Sequence, residues 1–253
     1  MAIRVMNKLS NAERFLNAYS AIEHEMERIL NLKEHRRFFE LIEKSARINP
    51  VIERYRFDLK EYSELRNAIV HDRAGGEIIA EPVDEVVVHI ERIAELLLEP
   101  PKVAPLFLKE VLTLSISHPV SRAIRDFSRM SYTQAPLLDD DTMVGLLTSN
   151  MIVKWMGISL ANNSFDIENT TLCDVLKIVG HEGNYEVVSV NKSLFEIPNL
   201  FYSWQQEGKK LEAVLITQHG EVSEPLLGII TNRDLPLVHR ELEQNSKPQK
   251  SSS

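Results

Sequence analysis

A ten-residue stretch near the carboxyl end, Leu226-Leu227-Gly228-Ile229-Ile230-Thr231-Asn232-Arg233-Asp234-Leu235, sets the strongest limit on how this chain can fold. Its apolar run, bounded by Pro225, has the length of a buried strand. Thr231 followed three residues later by Asp234 is a helix-entry signal. The hydroxyl serves the orphan N–H groups of a first turn, and the carboxylate reaches back or meets the positive end of the helix dipole. A strand that runs straight into a helix start also gathers a hydroxyl, a carboxylate and free N–H groups at one point, where ribose hydroxyls and phosphates are often held. Taken alone, the capping box is the commoner explanation of such a pattern.

Repetition changes that balance. Met143-Val144-Gly145-Leu146-Leu147-Thr148-Ser149-Asn150-Met151-Ile152 has the same Gly-apolar-apolar-Thr layout, with Gly145 lying 83 residues before Gly228. Each copy follows a helical stretch, a strand (Ala135 to Leu138, Ala213 to Ile216) and a polar turn. Two copies of one supersecondary unit predict an internal pair. Tandem segments of this length that end in Gly-Ile-Ile-Thr-x-x-Asp resemble CBS domains, paired as a Bateman module. The resemblance implies two small mixed sheets with flanking helices, and a regulatory adenine nucleotide: AMP, ADP, ATP or a related second messenger. The second copy carries the family's ribose-binding signature in full, whereas the first has Met151 where the Asp is expected.

In that family the copies pack antiparallel, so each cleft joins the Thr-x-x-Asp end of one copy to the adenine-facing strand of the other. Carried onto this chain, one cleft combines Thr231, Arg233 and Asp234 with Tyr132, Thr133, Gln134, Ala135 and Pro136. Asp234 would accept from the ribose hydroxyls, Thr231 and the helix N-terminus would face the phosphates, and backbone groups beside Ala135 would read the adenine edge. Arg233 either neutralises phosphate or is an ordinary exposed helix residue. The reciprocal cleft joins Thr148 to Leu211-Glu212-Ala213. It is expected to be weak or empty, because Met151 cannot accept from a ribose; Lys209 and Lys210 there either hold phosphates or form a solvated turn.

The formal net charge is −8, and neither half of the chain has the basic balance of a dedicated duplex-DNA binder. Cys173 is the single cysteine, so the composition leaves no intrachain disulfide and no Cys-based metal site, and no metal is expected. The first eight residues lack an apolar core of signal-peptide length, and no run approaches the ~18 residues that span a bilayer. These features predict a soluble, cytoplasmic protein that uses no membrane.

Upstream, residues 10 to 99 read as four helices. Phe15, Tyr19, Ile22, Met26 and Ile29 put one apolar stripe on a helix from Asn11 to Leu32. A second carries Phe38, Phe39, Leu41 and Ile42 and stops near Asn49-Pro50. A third runs from Asp58, turns Leu59, Tyr62, Leu65 and Ile69 inward, and is capped at Gly75-Gly76. After an extended piece at Ile78-Ile79-Ala80, a fourth begins at Asp84 and buries Val86, Val87, Ile90, Ile93, Ala94 and Leu97. Short connections make this a four-helix bundle, and the fold class is α+β. The expected domains are 1–100, then 101–243 containing copies at about 103–160 and 171–243, then a disordered tail, 244–253. In the second domain, Leu112 to Ser117 reads as a strand, Val120 to Met130 as a helix, and Ser193 to Glu207 as another.

Within the third helix, Leu65-Arg66-Asn67-Ala68-Ile69-Val70-His71-Asp72 resembles the Arg-polar-x-x-x-His motif of HEPN domains, four-helix proteins many of which are metal-independent ribonucleases acting as dimers. With spacers of four to six residues allowed, Arg28 to His35 and Arg233 to His239 also fit, but only Arg66 is followed by a polar residue on a third helix. Residues five apart are turned roughly 140° from one another, so Arg66 and His71 do not pair side by side in one chain; Asn67 and His71 share a face. The resemblance implies a homodimer cleft in which His71 exchanges a proton with an RNA substrate and Arg66 stabilises charge on the phosphate. A helix-end histidine cap and an Arg66 ion pair are the structural alternative. The leading expectation is therefore a ribonuclease controlled by an adenine nucleotide, with coupling through Pro100 to Pro105. The alternatives are a non-catalytic nucleotide sensor whose helical domain dimerises or docks a partner, and a companion of a nucleotidyltransferase.

Overall fold

The computed structural model describes residues 9–32, 36–71, 81–180 and 183–246. The chain divides into two compact units, Met1–Pro101 with His239–Ser253, and Lys102–Val238.

The first unit is helical: α1 (Asn11–Ile29), α2 (Phe38–Ser45), α3 (Pro50–Arg54), α4 (Arg56–His71) and α5 (Asp84–Leu98). A full capping box starts α1, with Glu13 N–H donating to Ser10 Oγ and Ser10 N–H donating to Glu13 Oε2. The helix ends three residues short of Leu32, at Ile29, and Asn31 follows with φ 49°, a left-handed conformation that asparagine tolerates. Phe15, Tyr19, Ile22 and Met26 face inward as their spacing predicts. Phe15 meets Tyr62 edge-on at 5.7 Å and Tyr19 stacks on Phe38 at 4.0 Å, so α1 is tied to α4 and α2 by aromatic contacts. Arg14 grips Glu91 through two hydrogen bonds of 2.9 and 2.6 Å, joining α1 to α5.

Four helices are predicted here, and α3 is the addition. Pro50 does not only stop what precedes it. It occupies the first position of a new helix, where its missing N–H costs nothing, and Asn49 Oδ1 accepts from Val51 N–H and Ile52 N–H. α2 accordingly ends at Ser45, before Asn49. α4 begins at Arg56, two residues before Asp58, and Leu65 is only half-buried, as is Val86 on α5. The Gly75-Gly76 cap and the Ile78 to Ala80 piece lie outside the described residues.

The second unit contains β1 (Leu114–Ser115), α6 (Val120–Met130), β2 (Gln134–Asp139), β3 (Thr142–Thr148), α7 (Ser149–Ala161), α8 (Leu172–Val179), β4 (Tyr185–Ser189), α9 (Glu196–Gln206), β5 (Ala213–Thr217), β6 (Gly228–Thr231), a 3₁₀ turn (Asn232–Asp234) and the start of α10 (Leu235–Ser246). Among the described residues these strands form two three-stranded sheets, ordered β1-β2-β3 and β4-β5-β6. In each, the first strand runs parallel and the third antiparallel to the middle one. The duplication seen in the residues is therefore a duplication of topology, strand-helix-strand-strand-helix.

Met143, Leu146, Ala213 and Leu215 form a buried cluster shared by both sheets. A larger cluster lies under the first sheet, where α8 joins Trp155, Phe127 and Met151. β1 is shorter than the predicted Leu112 to Ser117, because Ser115 N–H donates to His118 Nδ1 and His118 N–H returns to the Ser115 carbonyl, turning the chain. The helix predicted from Ser193 begins at Glu196, and β4 is an element the sequence reading did not name. α10 continues through Gln244, Asn245 and Ser246, which the residue pattern assigns to the tail; residues 247–253 lie outside the described residues.

Residues 102–109 run along the second sheet rather than the first. Val103 N–H donates to the Lys192 carbonyl, Lys109 N–H donates to the Leu227 carbonyl at 3.0 Å, and Leu108 bridges Gly228. Gly228 makes that approach possible: a Cβ there would stand 2.1 Å from the Phe107 carbonyl oxygen.

Candidate functional site

A cleft of about 320 Å³ opens between the two copies, lined by residues 109–112, Met130 to Gln134, Ile229, Thr231, Arg233 and Asp234. The first copy supplies its wall through a left-handed turn. Ser131 caps α6 with φ 54°, its N–H bonded to the Phe127 carbonyl, and this swings Tyr132 and Thr133 out before β2 begins. The second copy supplies the floor by strand alternation, since Ile229 and Thr231 point to one face of β6 and Ile230 is buried on the other.

At the strand end Asp234 turns back on Thr231. Its Oδ2 accepts from Thr231 N–H at 2.7 Å and from Thr231 Oγ1 at 2.9 Å. The carboxylate is therefore oriented on both sides of one oxygen, and Oδ1 is left facing Lys109 Nζ at 3.8 Å. The Thr231 hydroxyl thus donates to Asp234 and helps to fix its carboxylate. Arg233 Nη1 donates to the Ser131 carbonyl at 3.3 Å, which links the two copies at the cleft rim. Gln134 Nε2 donates to the Glu212 carbonyl at 3.0 Å and makes a second cross-link, while its Oε1 accepts from Thr133 Oγ1.

Six of the eight residues expected at this cleft line it: Tyr132, Thr133, Gln134, Thr231, Arg233 and Asp234. Ala135 and Pro136 do not. The side chains of both are buried, Ala135 within the core beneath the first sheet and Pro136, next to it on β2, on the opposite face. Lys109, Glu110, Val111, Leu112, Met130, Ser131 and Ile229 went unpredicted. Ile229 was legible from the period of two before Thr231; Lys109 and Glu110 arrive through a long-range pairing that leaves no local signal.

On the reciprocal side, Thr148 is buried and its Oγ1 accepts from Met151 N–H at 3.2 Å, an ordinary helix cap. Met151 itself is 1% exposed in the core. Lys209 pairs with Glu207 at 2.9 Å and Lys210 with Glu212 at 2.8 Å.

Residues 103–157 match the CBS domain model. No curated protein matches the chain. Among solved structures, the chain is similar to a putative acetoin utilization protein (AcuB) from Vibrio cholerae, at 16% identity and TM-score 0.43 over 57% of this chain and 94% of that one. It is also similar to CBSX2, solved in complex with AMP, at 15% identity and TM-score 0.41 over 54% and 95%. CbpB, solved in complex with c-di-AMP, shows 10% identity and TM-score 0.44 over 62% and 95%. The CBS match covers β1 through most of α7, and so includes the Tyr132 to Gln134 wall of the cleft.

In the helical unit, Arg66 lies over the Tyr19 ring at 5.9 Å and donates to Asn67 Oδ1 at 3.4 Å. His71 is the last residue of α4; its side chain lies outside the described residues. Burial pushes the Tyr19 and Tyr62 hydroxyls up to about 12, and Tyr62 OH meets His89 Nδ1 at 2.5 Å. Among the described residues no group of three His, Cys, Asp or Glu side chains is placed to hold a metal ion, and no helix is long and apolar enough to cross a membrane.

Proposed function

We propose that this protein is a regulatory sensor of an adenine nucleotide, which binds in the cleft between the two copies and controls the helical unit. The observation that carries the reading is Asp234. Its carboxylate is fixed by two hydrogen bonds on Oδ2, and it presents Oδ1 to a cleft whose apolar residues come from both copies. A carboxylate held in this way is an acceptor for ribose hydroxyls, while Val111, Leu112, Met130 and Ile229 offer the apolar lining that a planar base requires. Titration calorimetry with AMP tests it: Asp234→Ala should lose measurable binding, and an Asp234→Ala chain that binds as tightly as the parent refutes the assignment.

The helical unit is read as a non-catalytic output that dimerises or docks a partner, because the Arg66 guanidinium is engaged by Tyr19 and Asn67. The spacing of Arg66, Asn67 and His71 supports a second reading, a HEPN-type ribonuclease that cuts RNA as a homodimer without metal. RNA cleavage in the absence of divalent ions decides between them. Activity that disappears in both Arg66→Ala and His71→Ala establishes the enzyme; no activity, or activity unchanged in both, leaves the docking role.

A further inference from the structure

The charges of the cleft say which part of a ligand each residue reads, given the nucleotide assignment above on which this inference rests. Lys109 and Arg233 are the cations of the lining, and Glu110 and Asp234 its carboxylates. Their formal charges cancel, so no general positive field draws anions in. A preference for phosphate must then come from a single cation placed beside the ribose-reading carboxylate. Thr231 gives its proton to Asp234, and Arg233 spends one of its N–H donors on the Ser131 carbonyl, which holds it at the rim. Lys109 differs from both. Its side chain is about half exposed, its Nζ stands 3.8 Å from Asp234 Oδ1, and an exposed pair at that distance is weakly held. An ammonium on a four-carbon stem also carries three rotatable donors.

The oxygen that Lys109 faces is the one that Thr231 leaves open. We propose that Lys109 is the phosphate-reading residue of the cleft: it pairs with Asp234 until a ribose hydroxyl takes Oδ1, and then turns to the 5′-phosphate. Ribose and phosphate recognition are thereby coupled through one exchange of partners. The ligand class that follows is adenosine carrying a 5′-phosphoryl group, as a monoester or a diester, in preference to adenosine itself. The strap carrying Lys109 is fixed by the hydrogen bond from Lys109 N–H to Leu227 and by the approach of Phe107 to Gly228, so the ammonium moves on an anchored backbone.

Calorimetry of the full chain with AMP and with adenosine tests this in Lys109→Met and Lys109→Arg. The parent should bind AMP about tenfold more tightly than adenosine, the worth of one charge-assisted hydrogen bond at a partly exposed site. Lys109→Met should bring AMP down to the adenosine level and leave adenosine unchanged, and Lys109→Arg should restore most of the difference. Equal affinities in the parent, or a preference that survives Lys109→Met, overturn the role of Lys109 while leaving the cleft in place. Equal losses for both ligands in Lys109→Met overturn it too, since they mark a merely structural residue. A parent that binds neither ligand overturns the nucleotide assignment itself.

Discussion

Replacing Gly228 by alanine probes the joint on which the cleft is built. The added methyl would lie 2.1 Å from the Phe107 carbonyl oxygen, 3.1 Å from the Phe107 carbonyl carbon and 3.2 Å from Ile216 Cδ1. The first two contacts are backbone, so a rotamer change at Ile216 cannot relieve them; residues 102–109 must move off the sheet. Overpacking of this kind costs about 1–3 kcal/mol, and loss of the 3.0 Å hydrogen bond from Lys109 N–H to the Leu227 carbonyl adds about 1 kcal/mol. The expected destabilisation is roughly 2–4 kcal/mol, or a melting temperature lower by roughly 5–15 °C. Urea unfolding followed by tryptophan fluorescence isolates the relevant unit, because Trp155 and Trp204, the two tryptophans of the chain, both lie in Lys102–Val238. The midpoint should fall with little change in slope, and AMP affinity should fall with it as Lys109 is displaced. A Gly228→Ala chain within about 0.5 kcal/mol of the parent would refute the reasoning, since Phe107 could not then be packed where it is described.

Met151→Asp, which the residue pattern suggests as a way to restore a second nucleotide site, should instead destabilise the chain by about 3–5 kcal/mol. Met151 is buried in the core, so the new carboxylate would meet no ribose; a stable variant binding two nucleotides per chain would contradict this. The helical unit should weaken in alkali. Tyr19 and Tyr62 titrate in the folded chain at about 12 against an ordinary 10.0, so below pH 10 both states keep the proton, and between pH 10 and 12 the unfolded chain releases it first. Stability should therefore fall as pH rises through that interval, and thermal melts should show a shallower fall in Tyr19→Phe.

What could be read from the residues is what local chemistry decides. Thr231 and Asp234 are three apart, and the hydrogen bonds between them form without help from the rest of the fold. α6 and the start of α5 follow their apolar spacing for the same reason. Pro50 misled because proline ends one helix and opens another by the same missing N–H, and only Asn49 before it distinguishes the two. Ala135 and Pro136 have buried side chains on opposite faces of β2, and the role the resemblance gives them is one for backbone groups beside the cleft. Lys109 was invisible because its place depends on Leu108 meeting Gly228, a pairing that no window of sequence contains.

That pairing has a bearing on how the chain can be divided. Residues 102–109 come before the first sheet in sequence yet pair with the turn after β4 and with Leu227 and Gly228 at the head of β6, so the halves are interlaced. A fragment cut after α7 would carry the second sheet away without this segment and leave backbone groups at Leu227, at Gly228 and in the turn after β4 unpaired, the kind of opening that recruits other chains. Neither half is a portable module, and shuffling one without the other should give aggregates, whatever the merits of the cut in sequence.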